Sequence, residues 1–247
     1  MTIINADDFG LSKSVNKAIT DAFESGLISN TTMLANGDYF DEAVKLAGEH
    51  NFSDKVGIHF NLTEGVPLTD DMKNCAAFCE NGKFHKRINR LKPLNKSEKA
   101  AVYKELSAQA QKIKNAEFGI DHADSHHHIH TAVFIAPIVL RVCRENNINK
   151  IRLHRNIGAI PSYKKLIKDL YNKNLNKKGF LTVKHFGSLK DIESVLPSDL
   201  EIMVHPDYDK GGSLIDRRGM EDGFPTGVPL YSVADKYGTE LTSYGDL

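Results

Sequence analysis

Short segments of alternating apolar and polar residues take turns along this chain with longer segments in which apolar residues recur every three to four positions. "TIINAD" alternates and opens on β-branched residues, the pattern of a strand, and "SKSVNKAITDAFESG" follows with helical spacing from a serine start to a glycine stop. "ISNTTMLAN" then predicts a strand, "FDEAVKLAGEH" a helix, and "KVGIHFNL" a third strand rich in β-branched and aromatic residues. Residues 63–96 break the rhythm. They show no clear period and carry turn signals, including a hairpin cue at Asn81-Gly82, so they read as a long functional loop inserted into the domain.

The clearest helix is "SEKAAVYKELSAQAQKIKNAEFG" (97–119), with Ser97 as its expected N-cap and Gly119 as its stop. "IDHADSHHHI" reads as a strand running into a loop, and "AVFIAPIVLRVCRENN" as an apolar helix kinked at Pro137. "KIRLH", "LTVKHFG" and "LEIMVHP" predict strands, separated by helices at "YKKLIKDLYNKNLNKKG" and "LKDIESVLPSD". "VPLYSVADKYGTELTSYGDL" predicts a closing helix and tail. About seven strand–helix units with no boundary linker predict one α/β domain over 1–247, built on parallel strands closed into a (β/α) barrel. A doubly wound open sheet is the alternative. The barrel is preferred because "NADDFGLSKS" after the first strand offers one glycine where a dinucleotide fingerprint needs three.

Composition narrows the function more than the fold. Hydrophobic residues at 40% and charged residues at 26% are ordinary for a globular domain. Thirty-two basic residues balance thirty-two acidic ones, so no net field draws the chain to nucleic acid or to an anionic membrane, and a small ligand is expected. The basic stretch 164–179 reads as a solvated helix face. The longest apolar run, "AVFIAPIVL" (132–140), is far shorter than the roughly 18 residues of a membrane span, and "MTIINADDFG" lacks a signal-like pattern; a cytoplasmic protein is expected. The apolar stretch 132–143 suits the core better than a homodimer interface. Cys75, Cys79 and Cys143 form a sparse, odd set that fits a reducing compartment. Cys75 and Cys79 with His85 would make a zinc clip only if joined by a second close pair.

The chemically loaded residues fall at the carboxyl ends of the expected strands, where parallel α/β folds carry their sites. They are Asp7 and Asp8, His59 and Asn61, the run from Asp124 to His130, Arg152 and His154, and His205. Residues 121–130, "DHADSHHHIH", concentrate five of the eleven histidines. Aspartate and histidine without cysteine suit a divalent ion in a catalytic site with open water positions. Strand alternation would put Asp124, His126 and His128 on one face and Ser125 and His127 on the other, so the adjacent histidines cannot all be ligands. Taken alone, Asp7-Asp8 could be a solvated turn or a helix cap, and His59 a hydrogen-bonded strand end. Together, two neighbouring carboxylates allow one to ligate while the other takes a proton from a bound water, whose pKa a cation lowers from about 15.7 to around 7. His205 could protonate a departing amine or alcohol.

"NADDFGLS" (5–12), "GIHFNLTEG" (57–65), "DSHHHIH" (124–130) and "VHPDYD" (204–209) resemble, in order and spacing, the YdjC-type carbohydrate deacetylase family, which includes chitooligosaccharide deacetylases. The resemblance spans nearly the whole chain and implies a distorted TIM-like barrel. It implies one divalent ion, magnesium or zinc, held by Asp8, His59 and His126, with Asp7 as base and His205 as acid. Sugar or acetate contacts fall to Asn61, His130 and Arg152. The implied reaction is hydrolysis of an N-acetyl group from an acetylated amino sugar or short chitooligosaccharide. The 63–96 loop departs from the family pattern, and 8% aromatic content with no tryptophan limits stacking on a long polysaccharide, so a mono- or disaccharide is expected. Two other readings are a non-catalytic sugar-binding or regulatory protein and a metal phosphoesterase with a second ion. The spare carboxylate at Asp7 argues against a mere binder.

Overall fold

The computed structural model describes residues 1–86, 88–191, 197–218, 227–232 and 241–247. In chain order, β1 (Thr2–Phe9) leads into α1 (Lys13–Glu24), β2 (Asn30–Met33) into α2 (Phe40–Glu49), and β3 (Val56–Phe60) into the long connection. That connection is not structureless: it holds α3 (Asp70–Lys73) and a hairpin of β4 (Cys79–Glu80) and β5 (Lys83–Phe84). Asn81 and Gly82 turn the hairpin with φ of 51° and 74°, as a two-residue Asn-Gly turn requires. Next come α4 (Lys96–Asn115), β6 (Ala123–Ser125), α5 (Ala136–Glu145), α6 (Ser162–Lys177), β7 (His185–Ser188) and β8 (Leu200–Val204). A small antiparallel sheet of β9 (Pro206–Tyr208), β10 (Leu214–Asp216) and β11 (Val228–Pro229) follows.

Six strands pair in parallel in the order β6-β3-β2-β1-β8-β7. Among the described residues the sheet continues beyond β6 only as single bridges, Ala123 to Ile151 and Lys150 to Leu181, which curl it round toward β7 into a distorted barrel. Among the described residues the parallel sheet therefore counts six strands rather than about seven, because "KIRLH" supplies bridges and no strand. The Asn172 side chain takes both backbone groups of His154, at 2.8 and 2.9 Å, and so draws the chain out of the ladder. "LTVKHFG" pairs as a strand only from His185.

Strand alternation divides the sheet into two faces. Ile4, Ala6, Ile58, Phe60, Ile202 and Val204 are fully buried, and alternation sets them opposite Asn5, Asp7, His59, Glu201 and Met203. The polar members of the second set fill the inside of the barrel.

The helices form for local reasons. Ser12 caps α1 by accepting from the Val15 N–H, and Val15, Ala18, Ile19 and Ala22 give it one buried stripe. Asn95 rather than Ser97 caps α4, in a reciprocal capping box with Glu98. The helix ends at Asn115, and Glu117, at φ 64°, takes the left-handed position expected of Gly119. Pro137 lies in the first turn of α5, where its missing N–H is not needed, so no kink results. Val139, Leu140, Val142 and Cys143 of that helix are core residues. The α4 residue Glu105 is fully buried and accepts from the Leu68 and Thr69 N–H groups and the Thr69 hydroxyl, pinning the inserted segment to the barrel. On α6, Leu166, Ile167 and Leu170 stand in solvent, and only Asn172 and Leu175 are buried.

Of the expected helix at "LKDIESVLPSD", Leu189–Asp191 forms one 3-10 turn, and residues 192–196 lie outside the described residues. The expected closing helix falls largely on 233–240, also outside them. Among the described residues no helix is long and apolar enough to cross a membrane.

Candidate active site

Two departures from regular strand geometry build the site. Asp7 and Asp8 would face opposite sides of an ideal strand. The β1–β2 register shifts between Ala6 and Phe9, and Asp8 adopts φ 72°, so both carboxylates face one cavity. A non-glycine residue held at positive φ costs conformational energy, of a kind that persists where the surroundings over-determine it. The alternation expected after β6 also fails. His127 and His128 take φ of 50° and 53°, and His126, His127 and His128 all line that cavity.

The cavity has a volume of about 330 Å³, and its floor is a cluster of donors. Ligand atoms of Asp8, His59 and His126, all buried, lie within 4.8 Å of one another. Asp8 Oδ1 sits 3.2 Å from His59 Nε2 and 2.8 Å from His126 Nδ1, while its Oδ2 accepts from Arg217 at 2.6 Å. The other His59 nitrogen, Nδ1, is 2.6 Å from Asp124 and 3.0 Å from the Thr32 hydroxyl, which aims Nε2 into the cavity. Burial works against a charged His59, but Asp124 and Asp8 outweigh it and push the imidazole up to about 10. The proton held there is what a divalent cation would displace.

Two imidazole nitrogens and a carboxylate, with one side open, make a donor set that fits a catalytic divalent ion. The other two groups share its histidines. Asp7, His59 and Asp124 form one, but both of its carboxylates bind Arg152; Glu64, His126 and His127 form the other, nearer the surface. Among the described residues no such group includes Cys75, Cys79 or His85.

Asp7 lies beside this cluster in a different setting. Both of its oxygens accept from Arg152 at 2.7 Å, and Asn5 donates to it at 2.9 Å. Burial would raise the carboxyl, but the Arg152 guanidinium holds it well below the usual carboxylate range, so Asp7 is an anion at neutral pH. His205 Nε2 is 3.9 Å from Asp7, and the His205 N–H donates to Asp216 at 2.9 Å. Burial pushes the His205 imidazole down to about 4, so it stands neutral and able to receive a proton.

The structure thus brings Asp7, Asp8, His59, His126 and His205 together at one rim. Asn61, His130 and Arg152, expected to touch sugar or acetate, are buried behind the cavity wall and brace it. Asn61 closes the turn that delivers Glu64, accepting from the Thr63 and Glu64 N–H groups. His130 Nδ1 is held at 2.5 Å by Ser125. Arg152 links Asp7, Asp124 and Glu201.

The chain's periodicity gave no signal for three other residues on the cavity. These are Glu64, 3.0 Å from His126 Nε2, and Arg217 and Arg218 beyond β10. A second cavity of about 250 Å³ adjoins the first and shares His128 and Arg218 with it. Arg90, His154, Arg155 and Lys168 line it as well.

A curled parallel α/β sheet that gathers aspartates and histidines at the carboxyl ends of its strands defines the class of protein. The family described as YdjC-like protein matches residues 1–225, and the chain belongs to it. It is 30% identical to a carbohydrate deacetylase of Geobacillus stearothermophilus, with 98% of this chain and 96% of that protein covered. It is 34% identical to a carbohydrate deacetylase of Clostridium beijerinckii, over 83% and 81% of the two chains. Among solved structures, an Enterococcus faecalis protein named for cellobiose-phosphate cleavage shares the fold, with a TM-score of 0.70 at 21% identity and coverage of 99% and 97%.

Proposed function

We propose that the chain is a divalent-metal-dependent carbohydrate deacetylase that hydrolyses the N-acetyl group of an acetylated amino sugar or short chitooligosaccharide. The observation that carries this reading is the placement of Asp8, His59 and His126 donor atoms within 4.8 Å of one another, beside an Asp7 carboxylate that burial and Arg152 keep unprotonated. Its relatives named carbohydrate deacetylase support the reaction class.

Asp8, His59 and His126 would hold the ion, which when bound would polarise an amide carbonyl and make a water acidic. Two imidazoles in the donor set favour zinc over magnesium, which prefers oxygen. Asp7 then accepts the proton of the attacking water, fixed in orientation by the paired bonds to Arg152. His205, 3.9 Å from Asp7, receives that proton from the Asp7 carboxyl and delivers it to the departing amine, leaving both groups as they began. Cavities of about 330 and 250 Å³ that share a wall suit a mono- or disaccharide better than a polymer. Three free cysteines fit a reducing, cytoplasmic setting.

Acetate release from N-acetylglucosamine and N,N'-diacetylchitobiose, measured with the metal content of the same preparation, tests the reading. Turnover with one ion per chain, lost on chelation and restored by zinc, is expected. Full turnover by metal-stripped protein rejects it. The Glu64, His126 and His127 group is the observation that favours a second ion and phosphoester chemistry, and two ions per chain with phosphate release would select that alternative.

A further inference from the structure

Glu201 does not reach the cavity, yet it is fully buried inside the barrel. Its Oε1 accepts from Arg152 Nε at 2.6 Å and its Oε2 from the Tyr244 hydroxyl at 2.5 Å. Tyr244 belongs to the 3-10 turn Tyr244–Asp246, which is tied to Thr2 and Asn30, the first residues of β1 and β2, and so sits at the amino ends of the strands, opposite the cavity. The Thr242 N–H donates to the Thr2 carbonyl at 2.9 Å, the Tyr244 N–H to Asn30 Oδ1 at 3.0 Å, and the Tyr244 ring stacks on His122 at 3.9 Å. From Glu201 the path runs on to the site. Arg152 binds both oxygens of Asp7 and, at 2.5 Å, Asp124, and Asp124 holds His59 Nδ1.

We propose that Tyr244 and Glu201 are positioning residues: they fix the guanidinium of Arg152 from below, and through it Asp7 and the Asp124–His59 pair. What the positioned groups do rests on the deacetylase reading above. An apolar plug would close this end of the barrel without burying a carboxylate and a hydroxyl, whose desolvation is costly. What the polar pair adds is direction. With Nε held, the guanidinium plane cannot rotate, and its two bonds to Asp7 stay in register. Burial raises the Glu201 carboxyl, so the anion depends on the donors that Tyr244 and Arg152 supply.

Two near-isosteric variants test this, Tyr244→Phe, which keeps the stacked ring, and Glu201→Gln, which keeps an acceptor oxygen. Each is read by kcat and KM for acetate release and by Co²⁺ affinity from titration in the visible, which needs no turnover. In Tyr244→Phe, kcat is expected to fall about tenfold with KM within about twofold, and Co²⁺ to bind about three- to tenfold more weakly. Glu201→Gln should lose at least as much. The double variant should be no worse than Glu201→Gln alone, because the hydroxyl acts through the carboxylate.

A purely structural role would instead lower thermal stability and leave kcat per folded molecule and Co²⁺ affinity unchanged. Wild-type Co²⁺ affinity and kcat in both single variants, or losses that multiply in the double variant, would overturn the proposal. A wild-type protein that binds Co²⁺ and releases no acetate would reject the deacetylase reading, while the Co²⁺ affinities still decide the positioning role.

Discussion

Asp7 and Asp8 are chain neighbours with the same side chain, and their partners give them different chemistry. Asp8 faces two imidazoles with one oxygen and Arg217 with the other, whereas both oxygens of Asp7 lie against Arg152. A carboxylate with both oxygens taken by one guanidinium is a poor cation ligand but a well-oriented proton acceptor, whereas Asp8 gives Arg217 one oxygen and keeps the other on the imidazoles. Asp7→Asn should therefore leave metal content unchanged and lower kcat by about 10²–10⁴, the usual contribution of a general base. Metal analysis beside an acetate assay checks it, and an equal loss of bound metal would move Asp7 into the ligand set. That the two acids would divide the labour was an expectation legible in the sequence. Which of the two partners each acid takes was not, because Arg152 lies 145 residues from Asp7 in the chain.

At the scale of elements, periodicity located most helices and strands, while their ends followed competition among neighbouring groups. Asn95 and Ser97 both have oxygens suited to capping α4. Asn95 accepts from the Glu98 N–H and its own N–H donates to the Glu98 side chain, while the Ser97 hydroxyl merely donates to Asn95. Asn95→Ala should cost about 1 kcal/mol of unfolding free energy. Ser97→Ala should stay within about 0.5 kcal/mol. Urea denaturation of the two variants separates them, and an equal cost would assign the cap to both.

The segment at 150–154 shows the opposite limit. Its alternation of polar and apolar residues reads as a strand, yet Asn172, on α6, captures the His154 backbone and ends the pairing. A tertiary side-chain contact overrides propensity there.

For the whole molecule, buried ionisable groups set how stability responds to pH. His205 and His154 are both lowered to about 4, burial being the first cause in each, and for His154 the cations Lys168, Arg90 and Arg155 add to it. Their folded values lie below the unfolded value of about 6.5, so their neutral forms stabilise the fold. That contribution is complete above about pH 6.5 and is lost as pH falls toward 4. His59 has the opposite sign. Raised to about 10, it stabilises the metal-free protein below about pH 6.5, and this contribution fades as pH rises through 10. The melting temperature of metal-free protein is expected to fall on both sides of neutrality, and a flat profile from pH 7 to 4 would contradict the burial of the two histidines. Zinc at about 100 times its dissociation constant should add about 2.7 kcal/mol. For a chain of this size that raises the melting temperature by about 5–11 °C, which scanning calorimetry would register.

By itself the sequence determined the alternation of strand and helix, the parallel barrel, and the convergence of Asp7, Asp8, His59, His126 and His205 at one rim. These follow from local periodicity and from the rule that parallel strands share a carboxyl end. Only the tertiary structure decided the left-handed backbone at Asp8, His127 and His128, which turns neighbouring side chains toward one cavity. It alone decided that Arg152, His130 and Asn61 are buried, and that Glu64, Arg217 and Arg218 reach the cavity. Those outcomes depend on contacts between residues far apart in the chain and on the charge balance inside a closed barrel, and no local pattern encodes either.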